Sequence, residues 1–125
     1  MNKGLPKNKT ACLDCLFCRI VRGEIPSQKV FENKELFAFK DINPQAPIHI
    51  IVIPKKHLDS LSGAKKKDNA LLGRLQLVIS EIAEKLLGEN SGYRIVTNCG
   101  EEAGQSVFHL HYHLLAGRRF TWPPG

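Results

Sequence analysis

The stretch Val107-Phe108-His109-Leu110-His111-Tyr112-His113-Leu114-Leu115 alternates imidazole and apolar side chains with a period of two. Successive side chains of a β-strand point to opposite faces, so this alternation predicts a strand. One face carries His109, His111 and His113. The other carries Phe108, Leu110, Tyr112 and Leu114, which can enter a core. A row of groups that titrate near neutral pH gives a fold no evident stability, so chemistry is the leading explanation for it.

The rest of the chain supplies the sheet around that strand. Residues up to about 13 read as a disordered arm, with a single domain over 14–125. Residues 16–22 predict a short helix stopped by Gly23. Pro26 and Ser27 turn the chain. Lys29–Glu32 and residues 36–41 predict a hairpin about the turn Asn33-Lys34-Glu35. Pro44 and Pro47 bracket a loop. Residues 48–53 are β-branched and almost wholly apolar, as in a central strand covered on both faces, closed by Pro54.

Asp68 reads as the N-cap of a long helix over 69–87. Its stripe is Leu71, Leu72, Leu75, Val78, Ile79, Ile82 and Leu86, and Gly88 stops it. Residues 93–97 form a strand, 98–105 a Gly-rich loop and 106–116 the histidine strand. The prolines of the tail keep it out of the sheet interior. The expected class is α+β: a five-stranded, mostly antiparallel sheet with one long and one short helix.

Two chemistries and one plain structural reading compete for the histidines. A His-x-His pair on a strand can present two imidazoles to one cation. Three in sequence cannot share one comfortably, because His109 and His113 would stand roughly 13 Å apart along a strand. A neutral imidazole is also a competent nucleophile. The loop before the strand, with Gly100, Gly104, Gln105 and Ser106, offers backbone and side-chain donors to an anion such as a phosphate. The plain alternative is a histidine-rich surface strand.

Residues 109–115 read His-φ-His-φ-His-φ-φ, with φ apolar. With Phe39-Lys40-Asp41-Ile42, Pro44-Gln45-Ala46-Pro47, the run from Ile48 through Pro54-Lys55-Lys56-His57, Gly104-Gln105-Ser106 and Trp122-Pro123-Pro124-Gly125, this chain resembles the histidine-triad nucleotide-binding family, in its HINT branch. The resemblance implies a two-fold dimer that hydrolyses purine nucleoside 5′-phosphoramidates through a nucleotidyl-histidine, with no cofactor required for catalysis. His111 would be the nucleophile and His113 a phosphate contact. His109 would orient the nucleophile and relay protons, with His49 behind it. Ser106 would sit near the leaving group, Gly104 and Gln105 near the phosphate, and Asn98 would contact the phosphate or the ribose. Asp41 would bind the ribose, and Phe17, Ile20, Phe39 and Ile42 would wall the purine. Trp122 would serve the partner's site. Taken alone, Phe39 and Ile42 read as core, Asp41 as a turn former and His49 as a core histidine.

Cys15-Leu16-Phe17-Cys18 is half of a common zinc site. Many triad proteins with this pair bind a structural zinc through two histidines, which the resemblance places at His49 and His109. The best-known HINT enzymes lack both pair and metal. Cys12 and Cys99 read as incidental thiols.

Eighteen basic against twelve acidic residues leave a net charge of +6. The excess rests partly on Lys3, Lys7 and Lys9 and on the run Lys65-Lys66-Lys67, which read as solvated segments. No aromatic residue is interleaved with them, which argues against a nucleic-acid partner. The longest apolar run, 48–54, is too short to span a membrane and is broken by His49. The first eleven residues lack an apolar signal core, so the cytosol is the expected location and the thiols are expected reduced. Two rival functions share these motifs: a nucleotide-binding scaffold with weak turnover, and a dinucleoside polyphosphate hydrolase.

Overall fold

Two-residue alternation along neighbouring strands gives this protein a sheet with two buried faces. The computed structural model describes residues 14–125. The expected arm and Cys12 lie outside the described residues. A short helix, α1 (Leu16–Val21), is followed by β1 (Lys29–Glu32), β2 (Leu36–Lys40), β3 (Ile48–Pro54), the long helix α2 (Asn69–Leu87), β4 (Tyr93–Val96) and β5 (Tyr112–Ala116). The sheet order is β1-β2-β3-β5-β4, and every neighbouring pair is antiparallel.

Leu36 and Ala38 of β2, Ile50 and Val52 of β3, and Tyr112 and Leu114 of β5 face α2. There they pack on Leu71, Leu75, Val78, Ile79 and Ile82. The intervening Phe37, Phe39, Ile51 and Ile53 face the other way and pack on Phe17 and Ile20 of α1. This two-sided cover explains why β3 is apolar almost throughout. Each fully buried aliphatic side chain contributes about 1.5–3 kcal/mol, so α2 is held chiefly by its stripe.

Four expectations need correction. The histidine strand is shorter than 106–116, because ladder pairing begins only at Tyr112. His109 and His111 therefore sit in an irregular segment leading into β5. Phe108 is not a core residue but is exposed. Leu86 is also exposed, since the stripe drifts off the sheet in the last turn of α2. Asp68 does not cap α2 with its side chain. It closes a preceding 3-10 turn instead: Oδ2 accepts from the Lys65 N–H at 2.8 Å and Oδ1 from Lys56 Nζ at 2.6 Å.

Candidate active site

The sheet face that packs on α1 also carries the histidines. His109 and His111 are almost wholly buried. The Phe17 ring stands edge-on to both, at centroid distances of 5.9 and 5.0 Å. His111 and His113 follow one another on that face, with ring centroids 5.1 Å apart.

Hydrogen bonds identify the protonated nitrogen on each ring. His111 Nδ1 lies 2.7 Å from the His109 carbonyl oxygen. A carbonyl only accepts, so Nδ1 carries the proton and Nε2 keeps a lone pair. The Gln45 N–H donates to His49 Nδ1 at 3.0 Å. The proton of neutral His49 is therefore on Nε2, which donates to His113 Nδ1 at 2.8 Å. His113 in turn carries its proton on Nε2. One ring thus offers a nucleophilic nitrogen and its neighbour offers a donor.

Burial holds all three rings neutral. It lowers the pKa of His49 against the pull of Asp41. It also lowers that of His111. For His113, burial and the neighbouring His111 and His49 bring the value down to about 4.

Beside these rings lies a cavity of about 390 Å³, with Phe17, Ile20, Phe39, Ile51 and Val107 as apolar walls and His111, His113 and Ser106 at one end. Asp41 stands at its rim, one residue beyond β2, with Oδ1 accepting the Asn43 N–H at 2.8 Å. Its other oxygen is 3.4 Å from His49 Nε2. Ile42 lines the mouth but is 99% exposed.

Of the expected site residues, the structure brings Phe17, Ile20, Phe39, Asp41, Ile42, Ser106, His111 and His113 to this cavity. Asn98, Gly104, Gln105 and Trp122 do not line it. Gln105 has a different duty: its Oε1 accepts the Gly100 N–H, and its Nε2 donates to the Asp59 and Val107 carbonyls. The N–H groups of Gly104 and Gln105 close the same turn, on the Glu101 and Gly100 carbonyls. Trp122 is 81% exposed. Cys99 hydrogen-bonds with Ser60 and Ser62.

A second cluster lies against the first. Cys15, Cys18, His57 and His109 each offer one ligand atom, all within 4.8 Å of one another. Cys15 Sγ is 3.3 Å and Cys18 Sγ 3.5 Å from His109 Nδ1, and Cys18 Sγ is 3.5 Å from His57 Nδ1. In tetrahedral zinc coordination, S and N ligands stand about 3.5 Å apart, so the set fits that ion. The far nitrogens are anchored as metal-bound imidazoles require: His109 Nε2 donates to the Pro54 carbonyl at 2.8 Å and His57 Nε2 to Asp59 at 2.9 Å. Burial pushes the Cys15 thiol up, but hydrogen bonds from His109 and His57 outweigh it and bring the value to about 5. The same Cys15 contact and Asp59 raise the pKa of His57 against its burial.

His57 is the residue that sequence reasoning missed, and His49 is corrected out of this set. In the β3–β5 register His49 pairs with Leu115. His109 lies before β5 begins, at the far end of β3, where its Nε2 donates to the Pro54 carbonyl. The end of β3 runs towards His109 and carries His57 to it.

A HIT domain model matches residues 22–120. The chain is 47% identical over 102 residues to protein HitA of Neisseria gonorrhoeae, covering 82% of this chain and 94% of that one. It is similar to the crystal structure of a HIT family hydrolase from Legionella pneumophila, with TM-score 0.87 and 46% identity over 89% of this chain and 99% of the other. It is also similar to a histidine triad nucleotide-binding protein from Candida albicans, with TM-score 0.73 and 32% identity over 89% and 82%. Family model, relatives and site geometry agree: the chain belongs to the HIT domain family.

Proposed function

We propose that this protein is a hydrolase of purine nucleoside 5′-phosphoramidates of the HINT type, working through a nucleotidyl-histidine. The observation that carries this reading is the Nε2 lone pair of His111, held at the end of an apolar cavity beside the N–H of His113. The hydrolase and nucleotide-binding descriptions of the Legionella and Candida relatives point the same way.

The purine lies between Phe17, Ile20 and Phe39, and Asp41 accepts from the ribose hydroxyls. His113 donates from Nε2 to a phosphate oxygen, which favours the developing charge. His111 Nε2 attacks phosphorus, forming an N–P bond. The P–N bond of the substrate breaks as its nitrogen takes up a proton from solvent beside Ser106. The modified imidazole is cationic and keeps its Nδ1 proton on the His109 carbonyl. Water then adds to phosphorus, the bond to Nε2 breaks, and the nucleotide leaves with a proton returned to solvent.

A zinc ion fits Cys15, Cys18, His57 and His109 and supplies structural cross-linking of α1 to the sheet. In this reading catalysis itself needs no cofactor. Two copies assemble about a two-fold axis, which gives the exposed Trp122 a neighbour. The reduced thiols suit the cytosol, and no helix among the described residues is long and apolar enough to cross a membrane.

The test is incubation with adenosine 5′-phosphoramidate. Expected are release of ammonia and, after alkaline quench, a nucleotidyl adduct on the peptide containing His111. Absence of turnover overturns the reading. The pH profile is a further check. A lowered pKa keeps an imidazole neutral to lower pH, and His113 sits near 4, well below the ordinary 6.5. The acid limb of kcat/KM is therefore expected below pH 6.5. A limb at or above that value contradicts the assigned ring states.

A further inference from the structure

The geometry points to loop 44–47, clamped by Gly117 and Arg118, as the device that dictates which nitrogen of His113 carries the proton. Gly117 and Arg118 are thus positioning residues for the reaction.

The chain of contacts is continuous. Arg118 Nε donates to the Gln45 carbonyl at 3.2 Å. The N–H of the same residue donates to His49 Nδ1 at 3.0 Å. His49 Nε2 then meets His113 Nδ1 at 2.8 Å. A backbone N–H can only donate, so while Gln45 stays in place His49 has one allowed neutral tautomer, and His113 must accept on Nδ1. If the loop moves away, the Nδ1 proton is no longer excluded, and only the longer 3.4 Å contact of Asp41 with Nε2 still favours one tautomer of His49. His113 then loses its fixed Nε2–H.

Two features hold the loop. Gly117 directly follows β5, in register with Pro47, which directly precedes β3. Its φ is +94°, and a Cβ built there would lie 2.9 Å from the Pro47 Cβ. Both the positive φ and the ring that abuts it require glycine. Pro47 is a rigid ring in the backbone, so a side chain at position 117 displaces the loop itself. Arg118 is braced in turn, with its guanidinium over the Phe120 ring at 4.3 Å, and its Nη1 donates to the Arg119 carbonyl at 3.1 Å. The arrangement ties the exit of β5 to the ring that faces the phosphate, although neither Gly117 nor Arg118 lines the cavity.

The inference rests on the phosphoramidase reading for its kinetic arm only. The structural arm needs no substrate, so a wild-type protein without turnover would defeat that reading and leave this test intact. The measurement is long-range 1H–15N correlation of the histidine rings in 15N-labelled protein. Wild type is expected to show a pyridine-like Nδ1 and a pyrrole-like Nε2 on His113, and the reverse, a pyrrole-like Nδ1 and a pyridine-like Nε2, on His111. In Gly117→Ala the His113 signals should become those of a tautomer mixture, while the His111 signals stay fixed by the His109 carbonyl. Its kcat should fall roughly tenfold with KM nearly unchanged, a fraction of what a placed proton donor supplies. Arg118→Ala, a surface change that threatens folding little, should show a partial shift of the His113 signals and a kcat loss of about two- to threefold. Arg118→Lys keeps a donor and should restore the wild-type ring signals. A wild-type His113 protonated on Nδ1 overturns the assignment. So does an unchanged His113 tautomer in both Gly117→Ala and Arg118→Ala, whatever happens to kcat.

Discussion

His111→Ala is expected to lower nucleoside phosphoramidate hydrolysis by on the order of 10⁴-fold or more while leaving AMP affinity within a few-fold of wild type. The asymmetry follows from where binding and bond-making reside. Phe17, Ile20 and Phe39 wall the cavity, and the Asp41 carboxylate stands at its rim, so alanine at position 111 leaves them untouched. What disappears is the ring whose Nε2 lone pair is fixed by its own backbone contact, Nδ1 on the His109 carbonyl. His113 cannot substitute, because its Nδ1 accepts from His49 and its Nε2 is protonated. A covalent route that loses its nucleophile loses the intermediate too, so no adduct should be trapped in the variant. Isothermal titration with AMP and a steady-state assay with adenosine 5′-phosphoramidate check both halves. Hydrolysis at the wild-type rate would sink the nucleotidyl-histidine route, and loss of AMP binding would make His111 a binding residue instead.

The parts legible in the sequence were those set by local periodicity. The bounds of α2 follow from a stripe at three- and four-residue spacing and from Gly88, whose φ of +84° ends the helix. The two faces of β5 follow from alternation, and Tyr112 and Leu114 do enter the core against α2. What stayed hidden depends on long-range register. Nothing local says that the end of β3 passes His109, so His57 could not be chosen over His49 as the partner of the cysteine pair. Register likewise puts His49 next to His113, where a single apolar strand would have made it core. Gln105 shows a different limit. A polar, Gly-rich loop before a histidine cluster suggests anion binding, yet a tight turn needs the same groups for its own backbone, and Gln105 serves the turn.

Removing the metal is expected to cost the fold more than it costs the chemistry. Protein purified without added metal should hold about one zinc per chain, and chelation should lower Tm by on the order of 10 °C. The reason lies in what these four side chains, as ligands, would join. Cys15 caps α1 and Cys18 lies within it, His57 follows β3, and His109 precedes β5. Without the ion, a half-buried thiol with a pKa near 5 and a buried neighbouring imidazole pushed upward remain together, a charge pair in place of a cross-link. Cys18→Ala and His57→Ala should each lose the zinc and the thermal stability that goes with it. His49→Ala should keep the full zinc content and lose kcat, because His49 faces His113 and not the cysteines. Metal content by mass spectrometry and Tm by calorimetry separate these outcomes. Zinc retained in His57→Ala but lost in His49→Ala would restore the assignment drawn from family resemblance. A Tm indifferent to chelation would mean that hydrogen bonds among these four side chains suffice to hold α1 on the sheet.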